Sequence, residues 1–138
     1  MLSTKCSSSS FEQPIKIFEA HHEFIYKISI SPDDSLIATS SHDTTTKLWT
    51  IGPIIKCIKQ LKGHTDFVVS SSFSPDGKFI FTGSKDETIC CWDVESGALL
   101  YVLIIQKNTV FQVDHHPKTQ SFISCSADGL ICVWNYTS

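Results

Sequence analysis

Arginine is absent: all 11 basic side chains in these 138 residues are lysine. Planar, bidentate forks onto phosphate, guanine or carboxylate are therefore beyond this chain. Charge of one sign is scarce too. The formal net charge is −3 and only 18% of residues are charged, so the basic stripe of a nucleic-acid binder is missing and no direct nucleic-acid binding is expected. No apolar run reaches the roughly 18 residues of a membrane span. The opening Met1-Leu2-Ser3-Thr4-Lys5-Cys6 lacks the charged-then-apolar order of a secretory leader. These absences point to an intracellular protein, nuclear or cytoplasmic, built as one domain.

Chemistry-bearing motifs are missing as well. No two cysteines stand at zinc spacing, and no Gly-rich phosphate loop or paired-carboxylate motif occurs. Cys57, Cys90, Cys91, Cys125 and Cys132 lie in apolar, strand-like runs and read as buried thiols, while Cys6 lies in a polar stretch. The adjacent pairs His21-His22 and His115-His116 project apart in extended chain rather than converging on a metal. No catalytic residue, metal ligand or cofactor is expected.

What is present is a repeat. Tryptophans fall at 49, 92 and 134, aspartates at 43, 86 and 128, and prolines at 32, 75 and 117, so each marker steps by 43 and then 42. Within each unit, apolar and β-branched runs of four to six residues alternate with turn formers such as Ser74-Pro75-Asp76-Gly77 and Lys85-Asp86-Glu87. Proline presets φ in such turns and glycine supplies positive φ. No helical period appears, and the chain reads as all-β.

The Gly63-His64 start, the Trp92-Asp93 end and a unit of about 42 residues resemble the WD-repeat family, over residues 14–138. The resemblance implies three four-stranded antiparallel propeller blades, at about 20–62, 63–104 and 105–138, the last carried as far as its third strand. It also implies buried hydrogen-bonded tetrads: His21, Thr39, Asp43 and Trp49, then His64, Thr82, Asp86 and Trp92. The third unit departs from this pattern. Gln106 stands in the histidine's place beside Ser124, Asp128 and Trp134, so a weaker or rearranged blade is expected.

Propellers close with about 4–8 blades, and three leave an incomplete ring. The run 14–19 reads as a closing strand, and residues 1–10, with four consecutive serines, as a disordered tail. Either a homodimer completes six blades, or a different protein supplies the rest, or the chain is a fragment of a larger propeller. Large apolar faces left open would mark an interaction surface. On one rim the repeat gathers Glu23, Phe24, His42, Asp66, Phe67, Lys85 and Glu87, aromatic residues beside charges suited to anchoring another protein. Phe24 and Phe67, at equivalent positions, fit equally a role between blades.

The resemblance implies a non-catalytic protein-interaction scaffold. The last two repeats are similar to those of Tup/Groucho-like transcriptional corepressors, through His64-Thr65-Asp66-Phe67 and Val133-Trp134-Asn135-Tyr136, and to propeller subunits of histone methyltransferase complexes, through Asp128-Gly129-Leu130. Both imply chromatin or transcription regulation. The alternatives are a cytoplasmic substrate-recruiting or trafficking adaptor and, from another class, a hydrolase or metal-binding protein using the histidine pairs.

Overall fold

A computed structural model describes residues 13–104 and 106–137. Eleven strands form three antiparallel sheets, with no helix among the described residues. The first sheet holds β1 (Ile25–Ile30), β2 (Leu36–Ser41), β3 (Thr45–Thr50) and β4 (Cys57–Lys62) in that order. The second holds β5 (Val68–Phe73), β6 (Phe79–Ser84), β7 (Ile89–Asp93) and β8 (Leu99–Leu103). The third holds β9 (Val110–His115), β10 (Ser121–Ser126) and β11 (Ile131–Asn135), three strands rather than four. Successive sheets are successive blades, and the arc is open.

The turns end the strands where the sequence placed them. Asp76 Oδ1 accepts the Ser74 hydroxyl at 2.6 Å and the Lys78 amide at 3.0 Å, tying the hairpin between β5 and β6. Gly77 sits there at φ 73°, a left-handed conformation that favours glycine. Asp33 repeats the arrangement with Ser31 and Ser35.

Packing lies between blades rather than within them. Ala38, Leu48 and Leu61 of blade one close on Phe73, Ile80, Cys90 and Trp92 of blade two. One repeat later, Phe81, Ile89 and Cys91 close on Val110, Val113 and Phe122. Inner-strand serines stitch the same seams: Ser29 Oγ meets Ser71 Oγ at 2.7 Å, and Ser70 Oγ accepts the Val113 amide at 3.0 Å. The outward halves of these layers stay open on the two end blades. Ile30 is 60% exposed and Val133 74%, whereas their counterparts one blade inward, Phe73 and Cys91, are 8% and 4% exposed.

Three expectations meet the structure differently. Residues 14–19 form no strand: no ladder partner lies beside them among the described residues, and Ile15 and Ile17 are exposed. Cys57 is exposed at the start of an outer strand and Cys125 and Cys132 are half-buried in the open third blade, so among the described cysteines only Cys90 and Cys91, between blades, are buried. The proposed tail at 1–10 lies outside the described residues.

Candidate interaction rim

Each blade is locked by a side-chain chain running from its third strand to the loop ahead of its first. In blade two, Trp92 Nε1 donates to Thr82 Oγ1 at 2.9 Å, which lies 2.7 Å from His64 Nε2, and His64 Nδ1 donates to Asp86 Oδ2 at 2.8 Å. Blade one repeats it: Trp49 to Thr39 at 2.9 Å, Thr39 to His21 at 2.8 Å, His21 to Asp43 at 2.6 Å. Burial disfavours a charged His64 ring, but the Asp86 carboxylate and neighbouring Cys90 outweigh it and raise its pKa from 6.5 to about 9. Asp86 is held well below the usual carboxylate range: burial alone would raise it, and the hydrogen bonds from His64 and Thr88 prevail.

Blade three solves the missing histidine with an amide. Gln106 Oε1 accepts the Ser124 hydroxyl at 2.7 Å, Gln106 Nε2 donates to the Leu130 carbonyl at 3.2 Å, and Trp134 Nε1 donates to Ser124 Oγ at 2.9 Å. Asp128 has no bond to Gln106; it caps its own turn through Ser126 and the Leu130 amide, and takes the Lys107 amide at 3.1 Å. The fourth member is decoupled, and the tryptophan anchor remains.

None of this is arranged for catalysis. His64, Thr82 and Cys90 are buried, and Cys90 Sγ approaches His64 on Nδ1, the nitrogen Asp86 already uses. Thr82 Oγ1, across the His64 ring from Asp86, has the order of a relay, but it is fully buried and also accepts the Trp92 indole N–H, so no path brings a substrate to it. The histidine pair at the end of β9 diverges: His115 Nδ1 meets Ser72 Oγ at 2.9 Å, while His116 Nδ1 accepts the Lys118 amide at 3.1 Å. Among the described residues no three metal-ligating side chains converge.

What the tetrads position is the rim. His42, Lys85 and Ala127 each donate their backbone amide across the mouth of the hairpin to the residue just ahead of the blade's first strand, Phe24, Phe67 and Thr109, at 2.8, 2.9 and 3.0 Å. Phe24 therefore stands beside His42 and Phe67 beside Lys85, and the blades set these pairs in a row. The His42 ring stacks on Phe67 with centroids 3.5 Å apart, Phe24 meets His42 edge-on at 5.7 Å, and Lys85 Nζ lies 4.9 Å from the Phe67 ring centre. The two phenylalanines thus differ in role: Phe67 packs between blades, and Phe24 stands 71% exposed.

Tyr26 was missed by the sequence reading; its hydroxyl meets His42 Nδ1 at 2.8 Å and fixes that ring. Its signal was an aromatic residue two positions beyond Phe24. Asp66 is turned inward to its own loop, its Oδ1 accepting the Phe67 amide at 2.8 Å. Glu87 and Thr44 hold positive φ, 74° and 75°, where the third repeat has Gly129. Left-handed backbone costs a non-glycine residue roughly 1–2 kcal/mol, and such strain gathers at functional sites.

Three antiparallel sheets of this register, locked by Trp-to-His or Trp-to-Gln chains, define an arc of β-propeller blades. The family profile described as WD domain, G-beta repeat matches residues 12–50, 55–93 and 97–135, and the chain belongs to that WD40 family. Two solved structures share the fold, that of U3-55K and that of the RRP9 WD40 repeats. Each aligns with a TM-score of 0.83 and 24% identity over 87% of this chain. The chain spans 38% of the length of either. Comparison with curated protein sequences found no match.

Proposed function

We propose that this chain is a non-catalytic, intracellular protein-interaction scaffold that docks a partner on the rim formed by Glu23, Phe24, His42, Asp66, Phe67, Lys85 and Glu87, with no cofactor and no direct contact to nucleic acid. The observation that carries it is the continuous row Phe24–His42–Phe67–Lys85 across two blades. It presents an exposed aromatic anchor on rigid support, which is how interfaces concentrate affinity. A chromatin or transcription setting rests on the sequence resemblance of the last two repeats, to which neither structural neighbour adds support. The arc is extended by further blades, from further repeats of a larger propeller, from a second copy of the chain or from a different protein.

Proximity labelling in cells tests the rim. Phe24→Ala and Lys85→Glu should each remove the same set of neighbours, whereas Lys118→Glu, away from the rim, should keep them. Identical neighbour sets for all three variants, each melting at the wild-type temperature, would overturn the proposal.

A further inference from the structure

The seam between blades one and two carries groups that the repeat does not ask for. At the turn after its second strand each blade holds His42, Lys85 or Ala127, and just ahead of its first strand Phe24, Phe67 or Thr109. Blade three makes the same amide-to-carbonyl bond at 3.0 Å with alanine and threonine alone. The Phe67 ring, the His42 imidazole and the Lys85 ammonium are therefore not required to build a blade.

Two of these groups are held in place. His42 stacks on Phe67 with centroids 3.5 Å apart, and its Nδ1 meets the Tyr26 hydroxyl at 2.8 Å. A phenol is a strong donor, and an imidazole offers Nδ1 as acceptor only when its proton sits on Nε2. Tyr26 stands at the bulge in β1, where the register slips between Ile25 and Lys27, and a bulge re-aims a side chain. Among the described residues His42 Nε2 takes no hydrogen bond, and it keeps contact with solvent. The seam thus presents a fixed N–H donor. Lys85 Nζ lies 4.9 Å from the centre of the same Phe67 ring, an attraction that orders its long side chain. No carboxylate pairs with it among the described residues.

The acids nearby are either engaged or unheld. Asp43 accepts from His21 and Thr45, Asp86 from His64, Thr65 and Thr88, and Asp66 from the Phe67 amide. Glu23 and Glu87 are exposed, and their side chains make no hydrogen bond or ion pair among the described residues. Affinity concentrates in groups ordered beforehand, since immobilising a long side chain on binding costs about 0.5–1.5 kcal/mol. The ordered, unengaged groups at this seam are an N–H and an ammonium. Both are donors and one is a cation, so their complement is an anionic acceptor. Phe24, edge-on to the same His42 at 5.7 Å and 71% exposed, adds an apolar contact beside them.

We infer that this seam takes an acidic peptide segment of a partner, with a carboxylate placed against His42 Nε2 and Lys85 Nζ and an apolar side chain covering Phe24. The inference rests on the reading of the rim as a docking surface and names the chemistry that surface selects. The chain has no arginine, so the bidentate fork that grips phosphate is missing, and a carboxylate suits two single donors. In an extended segment, side chains two positions apart share a side at a spacing of about 6.6 Å, comparable to the step from Phe24 to His42. The selected pattern is an apolar residue, any residue, then Asp or Glu, in either chain direction. Glu23 and Glu87, being unheld, turn away from the bound carboxylate.

Selection of a displayed library of random short peptides on the full chain tests this. Peptides retained by wild type should be enriched in an apolar residue two positions from Asp or Glu. A synthetic copy of one of them should weaken about tenfold when that acid is replaced by its amide. Lys85→Met keeps the aliphatic contact with Phe67 and drops the charge, and His42→Phe keeps the ring and drops the N–H. Each should lose the acid preference at the wild-type melting temperature, and Lys85→Glu should turn the preference towards lysine. No enrichment of any peptide, or an acid preference unchanged in Lys85→Met and Lys85→Glu, would overturn the inference. Peptides that lack an acid excess yet are lost in Phe24→Ala would overturn the acidic partner and leave the rim standing. Peptides indifferent to Phe24→Ala would count against both.

Discussion

Gln106 Oε1 meets the Ser124 hydroxyl at 2.7 Å, the distance at which His64 Nε2 meets Thr82 Oγ1 in the preceding blade. An amide suffices because it offers an acceptor and a donor on one rigid plane. The acceptor takes Ser124, and the donor takes the Leu130 carbonyl at 3.2 Å. Gln106→Ala leaves the buried Ser124 hydroxyl without its acceptor and opens a gap at a position only 3% exposed, while the Leu130 carbonyl keeps the Ser126 amide at 3.3 Å. Each buried polar group left unmade costs about 1–3 kcal/mol. The urea midpoint should fall accordingly, with the fluorescence of Trp134, whose Nε1 bonds Ser124, changing ahead of the whole-chain signal. Gln106→Glu, which turns a buried carboxylate oxygen towards the Leu130 carbonyl, should cost at least as much as alanine at neutral pH.

His64 makes stability depend on alkaline pH. Its pKa is 6.5 when unfolded and about 9 in the fold, so the bound proton favours the folded state. That contribution is full below pH 6.5 and is lost as pH rises through 9. Asp86 acts at the other end: its lowered pKa contributes above the ordinary carboxylate value of 3.8 and is lost as pH falls below it. Blade three suggests the substitution. His64→Gln should be less stable than wild type at neutral pH, because Asp86 loses its cation, and should show a flatter stability curve between pH 6.5 and 9. Chemical melts across that interval check it, and an alkaline loss as steep as that of wild type would refute the assignment.

His115 works in the opposite direction. It sits among the rings of Phe81, Phe122 and Tyr136 at 4.7, 5.5 and 5.9 Å, and its buried Nε2 meets no acceptor. Burial there lowers its pKa from 6.5 to about 4, against the pull of Asp114 and Asp76. A depressed pKa gives stability that is present above pH 6.5 and lost as pH falls towards 4. The equivalent position between blades one and two holds Phe73. His115→Phe should therefore remove much of the acid loss between pH 6.5 and 4, while giving up the Ser72 bond. The imidazole proton resonances of wild type should still report a neutral ring at pH 5.5.

Legibility in the sequence followed the physics of each feature. Strands and turns were readable because proline, aspartate and glycine act locally, and the tetrads because their residue types recur at one period. Gln106 was visible as a departure, but its bond to the Leu130 carbonyl depends on where another loop's backbone passes. In sequence His115 is legible only as half of a diverging pair, since only packing between blades shows that it stands where blade two has Phe73. The rim phenylalanines were indistinguishable in sequence; Phe67 is covered by the stacked His42 ring of blade one, whereas Phe24 meets that ring only edge-on and stays 71% exposed.

Gly83 is the clearest case of a residue whose constraint lies in another blade. In sequence it opens the run Gly83-Ser84-Lys85-Asp86 and reads as part of a turn, yet it lies within β6. A Cβ there would stand 2.9 Å from Val110 Cγ1, 3.1 Å from the Val110 carbonyl oxygen and 3.2 Å from Val113 Cγ2. The first contact can be relieved by trimming a side chain, but the second is backbone and cannot. Gly83→Ala should thus cost about 1–3 kcal/mol, the range for overpacking a filled interface. Adding Val110→Ala should not recover the loss, because the carbonyl remains and a cavity is opened beside it. Urea titrations of the two variants, compared at a common slope, measure both effects. Full recovery in the double variant would place the strain on the valine methyl alone.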